Sequence, residues 1–91
     1  MNAVTIKDFS EAELEALAWL KRDRSILVSH IHTSNIKEMG VIIPGIRVFK
    51  KLEDKGYCFQ TEEEPCEDGF VFTETIDLTD LGAETIKSLK I

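Results

Sequence analysis

The segment from Pro44 to Lys55 carries cationic side chains at helical spacing. These cations are Arg47, Lys50 and Lys51, with Lys55 nearby, and they lie on one side of a predicted helix. The apolar residues Val48, Phe49 and Leu52 form the opposite arc. A cationic helix face can contact phosphates, and Arg can read guanine. The same row is also typical of an ordinary solvated helix face, so both interpretations stay open.

An acidic stretch follows and interrupts two strand-like segments. Its acids are Glu62, Glu63, Glu64, Glu67 and Asp68. These carboxylates would repel phosphate, but they could contact a basic protein surface. Their spacing does not follow a calcium-binding EF-hand loop, so a solvated acidic turn is also expected.

Histidine and cysteine are the remaining residues that could bind a metal or act in catalysis. His30 and His32 lie on one side of a short predicted strand, and Cys58 and Cys66 flank the acidic stretch. Neither CxxC nor HExxH is present, and Cys58 has the context of a packed thiol, so no metal site is predicted. The chain also lacks GxSxG, a P-loop and a Gly-rich dinucleotide turn. We therefore expect neither an enzyme nor a cofactor.

Composition and charge describe an acidic, globular chain. Its 91 residues fit one domain covering 1–91, and 43% of them are hydrophobic. The net charge is −6, yet residues 21–55 hold eight bases and four acids, whereas residues 56–86 hold nine acids and no base. The overall charge disfavours unspecific attraction to nucleic acid, but a local basic centre is possible.

Localisation is predicted from what the sequence lacks. No apolar run reaches the roughly 20 residues of a membrane span, and the first residues do not resemble a signal peptide. Two cysteines do not make a disulfide scaffold, which favours a reducing compartment. A cytoplasmic protein without membrane contact is expected.

The first predicted helix covers about residues 11 to 22. Ser10 and Glu13 have the spacing of a capping box, and Leu14, Leu17 and Ala18 form its core stripe. A second apolar face is formed by Ala12, Ala16 and Trp19. This face could be a homodimer interface centred on Trp19. Alternatively, the N-terminal residues or the final helix cover it within a monomer.

The other elements follow from turn and cap signals. Residues 25 to 31 predict a short strand, and a second helix is expected from Thr33 or Ser34 through Glu38, ended by Gly40. The third helix begins at Pro44, and a hairpin with a long acidic tip follows. Thr79 can cap a last helix.

This order resembles a winged helix-turn-helix domain. The resemblance covers nearly the whole chain and is carried by the segments IPGIRVFKKLEDKGYCFQ and IDLTDLGAETI. It implies an α+β fold with a three-helix core, a two- or three-stranded wing sheet and a C-terminal helix. It also implies a small DNA-binding transcription regulator whose third helix enters the major groove. The same fold serves protein interaction, so the alternative is an interaction module or an acidic inhibitor of a nucleic-acid-binding protein.

Overall fold

The computed structural model describes residues 4–63 and 73–91, which form three α-helices and two small antiparallel sheets. The helices are α1 (Glu11–Asp23), α2 (Ile46–Asp54) and α3 (Asp80–Leu89). The strands are β1 (Ser25–Leu27), β2 (Ile36–Glu38), β3 (Val41–Ile43), β4 (Cys58–Glu63) and β5 (Thr73–Leu78). The α+β class expected from the sequence is confirmed.

The larger sheet has the strand order β1-β5-β4. Ile76 at its centre is opposite Ile26 on one side and Gln60 on the other. Ile76 is only 1% exposed, because this face of the sheet packs on the helices. The predicted hairpin strands therefore sit beside the first strand in one sheet.

The predicted cap of α1 is present. The Glu13 amide donates to Ser10 Oγ at 3.1 Å, and the Ser10 amide donates to Glu13 Oε1 at 3.0 Å. This reciprocal pair satisfies two amides that the first helical turn leaves without partners. The helix begins where the sequence predicts and ends one residue later than expected, at Asp23.

The predicted second helix is wrong. The segment from Ile36 to Ile43 instead forms the antiparallel hairpin of β2 and β3, with Glu38 opposite Val41. Met39 and Gly40 make the turn with positive φ angles of 51° and 79°. The β-branched residues of this segment favour strands, and Gly40 serves the turn rather than a helix end. The described residues therefore contain no helix-turn-helix.

The face proposed for a homodimer lies within the fold of one chain. Ala12 is 8% exposed and Ala16 is fully buried, while the half-buried Trp19 contacts Phe49 edge-on at 5.6 Å between ring centroids. The buried stripe of α1 runs through these alanines and Leu17, not through Leu14 and Ala18 as predicted. Ala12 and Ala16 are therefore core residues rather than a free surface.

Both chain segments named as possible covers contribute to that core. Phe9, which precedes α1, is buried, and so are Ile86 and Leu89 of α3. Burial of these residues agrees with closure of the face within one chain, and the choice between monomer and homodimer stays a prediction. Among the residues that the structure describes, no helix combines the length and apolarity needed to cross a membrane.

Candidate nucleic-acid interface

Helix α2 is held at its start by the loop that precedes β2. The Gly45 amide donates to Asn35 Oδ1 at 2.7 Å, and the Ile46 amide donates to the His32 carbonyl at 2.8 Å. A Cβ on Gly45 would lie 2.6 Å from the Ser34 carbonyl carbon, so the loop packs directly on the helix start. Asn35 was missed in the sequence because its partner lies ten residues away.

The end of α2 is also fixed. The Gly56 amide donates to the Glu53 carbonyl at 2.9 Å, and the Tyr57 amide donates to the Leu52 carbonyl at 3.0 Å. This is the hydrogen-bond pattern of a Schellman motif, in which the residue after the cap has a positive φ. Gly56 has φ 87°, as its predicted role as the helix stop requires.

Three predicted contact residues lie together on the outer side of α2. Arg47, Lys50 and Lys51 are exposed, while Val48, Phe49 and Leu52 are buried, as the helical spacing predicts. The described residues contain two ion pairs, and neither includes these three cations. The exposed Asp54 is the acid of α2 that shares their side.

The cationic face borders an open cleft of about 640 Å³. Its polar lining consists of Arg47 and Lys51 from α2 and of Thr33, Ser34 and Asn35 from the loop. No carboxylate belongs to this lining. Asn35 uses its side-chain oxygen on Gly45, so its amide nitrogen remains able to donate. The cleft can therefore offer cationic, hydroxyl and amide donors to an anion.

Lys55 does not join this group. Its Nζ lies 2.8 Å from Glu13 Oε2 and 5.3 Å from the ring centroid of Phe9. Burial raises the pKa of Glu13, but hydrogen bonds from Lys55 and Ser10, together with the charge of Lys55, outweigh it and lower that pKa. Lys55 thus connects the end of α2 to the start of α1. Its role is to stabilise the fold, and it does not line the cleft.

The predicted acidic surface is only partly described. Glu62 and Glu63 end β4, with Glu74 and Thr73 as their partners in β5. The structure does not describe Glu64, Glu67 and Asp68. The proposed protein-binding role of this stretch therefore stays a prediction.

The other sequence candidates do not assemble into a site among the described residues. His30 and His32 are exposed, and no group of three potential metal ligands occurs in this part of the chain. Cys58 is buried, and its thiol donates to the Phe49 carbonyl at 3.4 Å. Burial, with a contribution from the charge of Glu53, raises the pKa of Cys58 to about 12. This thiol is therefore protonated and a poor nucleophile at neutral pH.

A polar cluster that the sequence did not reveal lies on the outer face of the larger sheet. Asp77 accepts hydrogen bonds from the hydroxyls of Thr75, at 3.0 Å, and Thr61. Burial raises the pKa of Asp77, but hydrogen bonds from Ser25, Thr61 and Thr75 outweigh it and lower that pKa. Because these hydroxyls already donate to the Asp77 carboxylate, the cluster links β1, β4 and β5 and does not present a free carboxylate.

Comparison of the chain with protein-family models, with curated proteins and with solved structures gave no match.

Proposed function

We propose that this protein is a small DNA-binding transcription regulator that uses the outer side of α2. The observation that carries this proposal is the cleft between α2 and the loop at residues 33–35. Arg47 and Lys51 line it, no carboxylate belongs to its lining, and neither side chain is used in an ion pair among the described residues. Cations arranged in this way are suited to phosphate groups.

The dimensions of α2 agree with groove binding. The nine helical residues span about 13.5 Å at ~1.5 Å per residue, and a helix that is about 10–12 Å across with its side chains fits the ~12 Å width of the major groove. Arg47 lies in the first turn, where a recognition helix contacts base edges, and Arg can bond guanine through two donors. Lys50 and Lys51 would contact phosphates beside it.

The element order supports a variant of the winged-helix architecture. Helix α2 is followed by two strands that pair with each other, and the second of these also pairs with β1 before α3 begins. The hairpin of β2 and β3 lies at the place in the chain order where a winged helix-turn-helix domain has its second helix. In this proposal, the loop before that hairpin holds α2 in place through Asn35 and Gly45.

The test is fluorescence anisotropy with a pool of labelled DNA duplexes over a range of salt concentrations. The parent protein should bind with an affinity that falls steeply with salt, because each phosphate contact releases counterions. An Arg47→Gln, Lys51→Gln double variant should reduce the salt slope by about two, since each lost contact removes ~0.9. Lys7→Gln, Arg22→Gln is the matched control, with the same charge change at exposed positions outside α2. Absence of binding at low salt, or equal losses in both double variants, would overturn the proposal.

The acidic stretch favours a second candidate, a winged-helix protein-interaction module or an acidic inhibitor. Residues 56–86 hold nine acids and no base, a charge pattern complementary to a basic protein surface. Binding of a Lys-rich peptide should then weaken in a Glu62→Gln, Glu63→Gln, Glu64→Gln variant. If the protein binds DNA, the same variant should bind DNA as well as the parent or more tightly, because removing negative charge from the protein reduces its repulsion of phosphate.

A further inference from the structure

A second concave surface lies where the ends of α1 and α3 meet the end of β5. Its volume is about 490 Å³, within the ~300–1,000 Å³ typical of small-molecule sites. Leu78, Ala83, Ile86 and Ile91 supply its apolar lining. The cleft of the proposed DNA-binding surface shares none of these residues.

Four cations surround this apolar lining, namely Lys21, Arg24, Lys87 and Lys90. They are four of the eleven Lys and Arg residues in a chain that has seventeen Asp and Glu residues, yet no Asp or Glu side chain lines the pocket. Lys21 donates to the Ile91 backbone oxygen at 2.6 Å. The other three cations form no ion pair within the described part of the chain.

Two of these cations occupy an unfavourable backbone conformation. Arg24 has φ 62° and Lys90 has φ 60°, and they are two of the three non-glycine residues with positive φ among those described. Each ends a helix, where the helix dipole favours positive charge. The helix dipole explains why a cation ends each helix. It does not explain why positions 24 and 90 lack glycine, the residue that a positive φ favours. Such strain is typical of ligand sites.

We propose that this basic pocket (Lys21, Arg24, Lys87 and Lys90 around Leu78, Ala83 and Ile86) binds a small amphipathic organic acid. The apolar body of the ligand would contact Leu78, Ala83 and Ile86, and its carboxylate would lie among the cations at the rim. The combination of an apolar lining and a rim with four cationic side chains and no Asp or Glu selects this class. A neutral ligand would leave the cations unused, and an inorganic anion would leave the apolar lining unused. The proposal is independent of the DNA-binding function.

The test is a titration with decanoate, followed by calorimetry and by the backbone amide signals of the labelled protein. We expect saturable binding of one decanoate, with the largest signal shifts at Ala83, Ile86 and Lys87. Lys87→Gln should weaken binding about tenfold, the effect of losing one charge-assisted hydrogen bond. Lys50→Gln on α2 is the matched control and should leave the affinity unchanged.

Arg24→Gly separates a ligand role from a purely structural one. Glycine relieves the positive φ, so the unfolding temperature should rise by about 4 °C, while decanoate affinity should fall about tenfold. A residue that only ends the helix would change the unfolding temperature without changing affinity. That result would overturn the assignment of Arg24 to the site.

Filling the pocket tests its location. Ala83→Phe should abolish decanoate binding, and Ala83→Leu serves the same purpose if the larger residue prevents folding, as checked by circular dichroism. Decanol and inorganic phosphate should each bind at least tenfold more weakly than decanoate. Equal binding of decanol, retained binding in the filled variants, or binding of anionic lipid vesicles without binding of decanoate would each overturn the proposal.

Discussion

The Glu13 carboxylate connects Lys55 to the start of α1. Glu13 Oε2 accepts from Lys55 Nζ at 2.8 Å, while its other oxygen caps the Ser10 amide at 3.0 Å. The Glu13 side chain is only 11% exposed. One carboxylate thus closes the first turn of α1 and holds the C-terminal end of α2 against it. This arrangement distinguishes Lys55 from the cations that remain on the outer side of α2.

Lys55→Met should therefore reduce stability rather than DNA affinity. We expect the free energy of unfolding to fall by about 1 kcal/mol, because Glu13 loses a charged partner. Lys51→Met should leave stability within ~0.5 kcal/mol, the usual range for an exposed residue. Urea unfolding and DNA anisotropy on both variants check this contrast. If Lys55→Met instead weakened DNA binding at unchanged stability, the structural role given to Lys55 would be wrong.

Asp77 should make the stability of the protein depend on pH in the acid range. Because its hydroxyl partners lower the pKa in the folded state, its stabilisation is complete above the unfolded pKa of about 3.9 and is lost as pH falls through the folded pKa. Asp77→Asn should be less stable than the parent at pH 6, and the difference should shrink below about pH 4. Urea unfolding across this pH range measures it, with Asp54→Asn as an exposed control. A difference that grows on acidification contradicts the assignment.

Gly82→Ala should destabilise the protein strongly. An added Cβ would lie 2.0 Å from the Tyr57 carbonyl oxygen, so α3 would have to move away from the turn after α2. We expect a loss of about 3 kcal/mol. Gly40→Ala is the comparison, because that position has open space and only a positive φ, and it should cost about 1 kcal/mol. Similar values for the two variants in thermal unfolding would rule out the close contact.

Trp19 should contribute to the stability of a single chain and not to self-association. Trp19→Ser removes the edge contact with Phe49 and the 2.8 Å hydrogen bond from Nε1 to Asp23. We expect a loss of about 3 kcal/mol and an unchanged sedimentation coefficient at micromolar concentration. A parent that sediments as a dimer and a variant that sediments as a folded monomer would instead support the homodimer interface at Ala12, Ala16 and Trp19.

Local signals in the sequence predicted the starts of α1 and α3, whereas α2 begins at Ile46 and not at Pro44 as predicted. The partners in the Ser10–Glu13 box and in the Thr79–Gly82 cap are three residues apart, so the sequence shows both members together. The amphipathic pattern of α2 likewise placed Arg47, Lys50 and Lys51 on its exposed side. These features depend on backbone geometry within one or two helical turns, which residue spacing describes directly.

Contacts between distant segments were not predictable in the same way. Asn35 holds Gly45 across ten residues, and Lys55 meets Glu13 across 42 residues. The hairpin at residues 36–43 was missed because a short apolar segment before a glycine fits a helix end as well as a turn. Its packing against α1 favours the strands, and spacing along the chain does not reveal that contact.

The hydroxyl of Thr79 serves two helices at once. It donates to the Gly56 carbonyl at 2.6 Å and accepts from the Gly82 amide at 3.0 Å, while the Thr79 amide donates to the Tyr57 carbonyl at 3.2 Å. The turn after α2 and the first turn of α3 are therefore one hydrogen-bonded joint. Local opening of either turn breaks bonds of the other, so the two should exchange their amide hydrogens with solvent as a single cooperative unit.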